Sequence, residues 1–217
     1  LVTHSMTTSK RRELERKAVR DTILDAAREL FVAHGYDGVS MRKVAERIDY
    51  SSTAIYLHFA DKESLFRELC EQDFFQLSDA FKDLVNIVDP AERLTACGSA
   101  YIKFAIAHPN HYRLMFMSTR PNLPAISDEA LARRGNPSQD AYAFLLTIVK
   151  DIMAEGAFRP DLTDTHLIAQ TLWAAVHGVA SLEIAMKDDP WIKWRSLSKR
   201  QSAIMDSIMT GLMLQKE

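Results

Sequence analysis

Apolar residues recur three and four positions apart along most of this chain and almost never alternate one by one. A helix gathers such residues onto one face, whereas a half-buried strand needs a period of two. Val19, Ile23, Ala26, Ala27, Leu30 and Phe31 make one such face between Arg11 and His34, and Gly35 is a ready C-terminal cap. Comparable runs cover 62–88, 91–108, 110–117, 139–155, 164–186 and 198–214, with a shorter piece at 128–134. Asp89-Pro90, His108-Pro109 and Asp188-Asp189-Pro190 punctuate them, and Pro121, Pro124 and Pro137 mark 118–138 as a loop. Only seven glycines and seven prolines interrupt 217 residues that are 47% hydrophobic. The expectation is an all-α fold with a sizeable core.

Residues 40–59 have a different grain. Ser40 reads as an N-cap, and Met41 to Ile48 form a short helix with Val44, Ala45 and Ile48 inward. Asp49-Tyr50-Ser51 breaks it. A second short helix fits Ser52–Phe59, with Ala54, Ile55 and Phe59 inward and Ser51, Ser52, Thr53, Tyr56 and His58 left outside. Asp61 then caps a longer helix. Two short helices joined by a tight turn are what reading a major groove requires: one braces across the backbone while the other presents its outer face to base edges.

Charge supports one basic end rather than a basic coat. The formal net charge is −2, yet residues 1–20 hold six basic groups (Lys10, Arg11, Arg12, Arg16, Lys17, Arg20) against Glu13 and Glu15. Residues 70–100 hold six acidic groups against Lys82 and Arg93. Such a molecule can meet phosphate with one tip. The run Lys10-Arg11-Arg12 reads either as an arm on the minor groove or backbone or as a solvated tail.

The run Ile23-Leu24-Asp25-Ala26-Ala27, then Leu30-Phe31, then Gly35-Tyr36-Asp37-Gly38-Val39-Ser40-Met41-Arg42-Lys43-Val44-Ala45, then Ser51 and Ile55-Tyr56-Leu57-His58-Phe59-Ala60-Asp61-Lys62-Glu63-Ser64-Leu65 resembles the DNA-binding domain of the tetracycline-repressor (TetR) family, in register over about residues 17–77. The resemblance implies a three-helix helix-turn-helix domain at 17–77 with its motif at 40–59, followed at 78–217 by a helical ligand-binding and dimerisation domain. It also implies roles. Ser40 and Arg42 would contact phosphate or a base edge. Ser51, Ser52, Thr53 and Ala54 would front the recognition helix. Tyr56, His58 and Lys62 would hold phosphates. Asp49 stands where the family usually has Gly, in a turn whose left-handed backbone Asp tolerates better than most residues.

The C-terminal half is less legible. Ala107–Phe116 together with Trp173-Ala174-Ala175-Val176-His177-Gly178 is similar to a subgroup with a Trp-to-His-Gly signature. A ligand site needs apolar walls with a few convergent polar groups, and the candidates are Tyr101, Phe104, Tyr112, Met115, Phe116, Tyr142, Leu145, Trp173 and His177. Aromatics at helical spacing equally suit plain core. His177, polar within an apolar helix, could orient a ligand, take a carboxylate when protonated, or bond a neighbouring backbone group. Ala174, Gly178, Ser181 and Ala185 form a small-residue stripe that another helix could approach. With Ile204, Ile208 and Leu212 they are expected to build a homodimer interface from 164–186 and 198–214, on a palindromic double-stranded operator.

No His, Cys or carboxylate set has metal-ligand spacing, and no cofactor is expected. The chain has no GxSxG, HExxH, P-loop or dinucleotide fingerprint, so the expectation is a regulator and not an enzyme. Two cysteines, Cys70 and Cys97, make no disulfide framework. With Met6 as a candidate start and no apolar signal region after it, the expected compartment is the cytoplasm. The stretch 164–186 reads as a buried helix and not a membrane span. The expected function is a repressor released from its operator by a small-molecule effector. A ligand-independent or activating regulator, and a helical small-molecule carrier or enzyme using His177, remain the alternatives.

Overall fold

The computed structural model describes residues 8–118 and 126–214. Among them are ten α-helices: α1 Thr8–His34, α2 Met41–Arg47, α3 Ser52–Tyr56, α4 Lys62–Asp79, α5 Pro90–Ala107, α6 Pro109–Tyr112, α7 Asp128–Arg133, α8 Ala141–Ala154, α9 Thr165–Met186 and α10 Leu197–Leu212. The described residues contain no strand, only an isolated bridge between Phe158 and Met213. The fold is all-α, as the periodicity requires.

Local signals set most helix ends. Gly35, at φ +68°, closes α1 with its N–H on the Phe31 carbonyl at 2.9 Å. Asp89, Asp140 and Asp164 cap α5, α8 and α9 through their carboxylates, and Ser196 caps α10. Three ends depart from the sequence reading, one of them in the second short helix described below. The helix expected to continue to Val88 stops at Asp79 and gives way to a 3₁₀ turn at Lys82–Asn86. Past it the backbone bonding tightens, with the Phe81 N–H on the Ser78 carbonyl at 3.0 Å and the Leu84 N–H on the Phe81 carbonyl at 3.0 Å, and Val88 is left 92% exposed. The other departure is at the start. Lys10, Arg11 and Arg12 lie inside α1 and are helical, not a tail.

The chain forms two compact units. The first comprises Leu1–Gln72 and Asn110–Ile126. Its core gathers Ile23, Leu24, Ala27 and Phe31 of α1, Val44 and Ala45 of α2, Ile55 of α3, and Leu65, Phe66 and Leu69 of α4, with Leu114 from a π-helical turn at Arg113–Met117. Full burial of each large aliphatic side chain here stabilises by about 1.5–3 kcal/mol relative to exposure. The second unit comprises Asp73–Pro109 and Ser127–Glu217. In it α5, α8 and α9 pack mutually and α10 lies against α5 and α9. Gly98 permits that approach: a Cβ there would meet Met205 Sδ at 3.1 Å and Val176 Cγ1 at 3.2 Å. Polar ties lie over the core, with Arg93 paired to Asp151 at 3.1 Å and Gln201 donating to Ser99 Oγ at 2.8 Å.

Candidate nucleic-acid interface and effector cluster

In the first unit, α2 and α3 are two short helices crossing on a shared apolar inner face. Val44, Ala45, Ile55 and Phe59 are buried there. The turn between them rests on Asp49, which at φ +56° is the one non-glycine residue with a left-handed backbone among the described residues. Each helix starts on a serine. Ser40 Oγ accepts from the Lys43 N–H at 3.3 Å, and Ser51 Oγ accepts from the Ala54 N–H at 3.2 Å. Both hydroxyls keep their own hydrogen, so each can cap its helix and still donate to an external acceptor.

The outer side carries most of the expected residues. Ser40, Arg42, Ser51, Thr53 and Tyr56 are exposed, while Ser52, Ala54, His58 and Lys62 are half-buried. Tyr56 exposes 53% of its surface, which argues against an ordinary inward aromatic, and Tyr50 in the turn exposes 42%. Arg42 pairs with Glu46 at 2.8 Å on the surface, a pair that solvent keeps weak and exchangeable. Lys62 is more committed. Its ammonium donates to the Tyr36 carbonyl at 3.1 Å and sits 4.1 Å from the Tyr36 ring centroid, leaving part of its three-donor capacity for a phosphate. That ring belongs to a cluster with Phe31 and Phe66 that ties α1 to α4.

A residue that sequence reasoning treated only as charge proves central. Arg20 of α1 donates to the His58 carbonyl at 2.6 Å, makes a two-pronged ion pair with Glu68 of α4, and lies 4.2 Å from the Phe59 ring centroid. The second short helix ends at Tyr56, three residues before the expected Phe59. The His58 carbonyl lies just beyond that end, and the Arg20 guanidinium supplies its partner. His58 Nδ1 is buried without a hydrogen-bond partner among the described residues. Burial first, then the Arg16 and Arg20 charges, hold its pKa below the usual histidine value.

The ligand candidates divide between the units. Tyr112, Met115 and Phe116 belong to the first, where Tyr112 and Met115 are fully buried and Phe116 lies 5.1 Å from Tyr112, centroid to centroid. Tyr101, Phe104, Tyr142, Leu145, Trp173 and His177 belong to the second. There Trp173 Nε1 donates to Tyr101 Oη at 3.2 Å, and Tyr101 Oη lies 2.9 Å from His177 Nδ1. An indole nitrogen can only donate, so the phenol oxygen accepts from it. Burial lowers the His177 pKa. Tyr142 reaches His166 Nδ1 at 3.0 Å and packs 6.3 Å from Trp173. Phe104 packs on His108, and Leu145 is half-buried on α8 beside Tyr142. His166 was missed as a partner in this cluster; its spacing of seven residues from Trp173 on one helix face is the signal that could have found it. Among the described residues no three His, Cys, Asp or Glu side chains come together as a metal site.

The sequence matches the tetR family of bacterial regulatory proteins over residues 23–69 and a tetracyclin repressor-like C-terminal domain over residues 94–188. The second description is coarser than a Trp/His-Gly subgroup. The chain is 40% identical over 60 residues to the HTH-type transcriptional repressor AcnR of Corynebacterium diphtheriae, covering 28% of this chain and 32% of the relative. It is 25% identical over 162 residues to the HTH-type transcriptional repressor KstR2 of Mycolicibacterium smegmatis, covering 72% and 77%. Among solved structures, the transcriptional regulator FadR of Bacillus subtilis, in complex with stearoyl-CoA, superposes with a TM-score of 0.68 at 18% identity over 88% of this chain and 97% of its own. The matched segment spans about a third of the length of the first curated relatives. Matched over both its reading head and its helical C-terminal half, the chain belongs to the tetR family of bacterial regulatory proteins.

Proposed function

We propose that this chain is a sequence-specific DNA-binding transcriptional repressor. It acts in the bacterial cytoplasm as a homodimer on a palindromic operator, and a small-molecule effector releases it. The DNA-reading domain is residues 17–77 and the regulatory domain residues 78–217. The observation that carries the reading is the pair α2–α3: its inner face is buried, and its outer face presents Ser40, Arg42, Thr53 and Tyr56. Ser51, Ser52, Ala54, His58 and Lys62 complete the surface. The repressor names of the relatives agree with it.

In the second unit, Tyr101, Trp173, His177 and Tyr142 supply convergent polar atoms within aromatic walls, the composition of an effector site. Release requires only that the effector prefer the state with lower operator affinity. The complexed neighbour makes an acyl thioester the first effector to try.

The test is fluorescence anisotropy with duplex DNA flanking the protein's own gene. Wild type should bind with sequence preference, and Tyr56→Ala should weaken it about tenfold, the scale of one lost charge-assisted hydrogen bond. Stearoyl-CoA should raise the dissociation constant in proportion to its concentration over its own Kd. Equal affinity of wild type and Tyr56→Ala for every duplex tested would overturn the assignment of this face.

A further inference from the structure

The N-terminal third of α1 packs against nothing in its own unit. From Ser9 to Ala18 every residue is exposed, including Leu14 at 47%. An isolated stretch of this length is marginal as a helix in water, so its helicity depends on continuity with the anchored portion that begins near Val19. It carries six cations, counting Arg20, against two carboxylates. Their arrangement is not uniform. Arg12, Arg16 and Arg20 stand four apart and therefore share one face. Arg11 points to a different face and is paired with Glu15 at 2.9 Å. Among the described residues Arg12 and Arg16 have no ion-pair partner.

Arg20 fixes the direction of that face. Its guanidinium reaches the His58 carbonyl at 2.6 Å, at the end of the helix-turn-helix. The charge of Arg16, one turn further out, is also felt at His58. The stripe is thus continuous with the phosphate-holding edge proposed above and projects about 12 Å beyond it, at about 1.5 Å per residue from Arg20 to Arg12.

We infer that Arg12 and Arg16 form a helical rail that binds the phosphate backbone of duplex DNA outside the segment read by α2 and α3. The inference rests on the DNA-binding reading and extends it. Of the arm read from the sequence on the minor groove or backbone, the minor-groove form is excluded by size, since a helix is about 10–12 Å across and the groove about 6 Å wide. Contacts to the backbone carry no base information, so the rail adds affinity and salt dependence without adding specificity.

The experiment is operator binding by the full chain across a salt series, with a footprint of the bound duplex, for wild type, Arg12→Ala/Arg16→Ala and Arg11→Ala. These positions are exposed and alanine favours helix, so thermal melting should be unchanged. The double variant is expected to reduce the log–log salt slope by about 1.8 per protomer, weaken binding at 0.15 M salt at least about tenfold, and shorten the protected segment. The ratio of operator to non-operator affinity should stay as in wild type. Arg11→Ala should leave slope and footprint unchanged. Wild-type slope and footprint in the double variant would overturn the rail alone, as would an equal loss from Arg11→Ala. Failure of wild type to bind any duplex would overturn the DNA-binding reading together with it.

Discussion

His58 shows how much one residue can report about the reading head. Its pKa is held below the usual histidine value in the free protein by burial and by the cations Arg16 and Arg20. A DNA phosphate beside it would supply the opposite charge and raise its pKa on binding. Between the free and bound values the complex holds more protons than the free protein, so operator affinity should rise as pH falls through that window. The window lies around and below the ordinary histidine value of about 6.5. Folding has the opposite dependence. A histidine whose folded pKa is depressed contributes stability that is complete above the unfolded value and is lost as pH falls through the folded one. The prediction is that the dissociation constant, measured between pH 7.5 and 6 at constant salt while the protein stays folded, decreases toward acid in wild type, and that His58→Gln flattens the profile. A flat wild-type profile would remove His58 from the phosphate contacts. Asp49 makes a quieter point at the same scale. A residue other than glycine at φ +56° is tolerable because Asp bears the left-handed region at modest cost, so the turn keeps its geometry without the glycine usual in the family.

At the scale of elements, the short recognition helix is held from outside. With five residues, α3 has too few internal hydrogen bonds to be stable alone, and its position depends on buried Ile55 and Phe59 and on Arg20. Arg20 closes the carbonyl end of the reading element and links it to α4 through Glu68. Arg20→Ala should therefore lower stability by about 1–3 kcal/mol, as for a lost hydrogen-bonded charge with its carbonyl left unpaired. It should weaken operator binding beyond what the stability loss explains. Arg20→Lys should recover part of the stability but little affinity, because an ammonium cannot bridge the carbonyl and carboxylate in one plane. Denaturant melts and anisotropy on the same samples separate the two effects, and full rescue by lysine would reduce Arg20 to a simple charge. The clamp illustrates what sequence can disclose. Helices, their serine and aspartate caps, the left-handed turn and the inward residues of α2 and α3 follow from local chemistry and were legible. The bond from Arg20 to His58 joins positions 38 apart, and nothing local marks it. The same is true of Tyr101, Trp173 and His177. Their residue types and apolar setting suggested a site, but the directional chain of hydrogen bonds exists only once α5 and α9 are packed. Val88 failed as a helix residue because apolar spacing alone does not show that the helix carrying it has given way to a 3₁₀ turn after Asp79.

For the whole molecule, the surface that most needs a partner is α9. It is about 33 Å long at 1.5 Å per residue and apolar enough in length and composition to cross a membrane, yet only 33% of its most apolar 18-residue stretch is buried in this chain. Leu167 and Leu182 are 58% and 44% exposed, and Ala174 and Ala185 are exposed as well. Leaving such a face in water forfeits roughly 25 cal/mol for every Å² of apolar surface that a partner could cover. Gly178 lies on this face, and a Cβ built there meets nothing within 4 Å. The space over it is therefore open within the protomer, unlike Gly98, where Met205 and Val176 already occupy the approach. In α10 the division is similar: Met205 and Leu212 are buried in the chain, so Leu212, expected at the interface, contributes to the protomer, while Ile204, Ile208 and Met209 are only half-buried. If α9 and α10 form a four-helix contact with a second copy, Gly178→Leu should leave the protomer folded, with helical circular dichroism retained and a lower melting temperature that no longer depends on protein concentration, because the stabilisation from the dimer is lost. It should convert the dimer to monomer in sedimentation equilibrium. Operator affinity should then fall steeply, because one protomer can engage only one of two half-sites. A variant that remains dimeric and binds its operator normally would place the interface on another surface and leave the exposed stripe of α9 without its proposed partner.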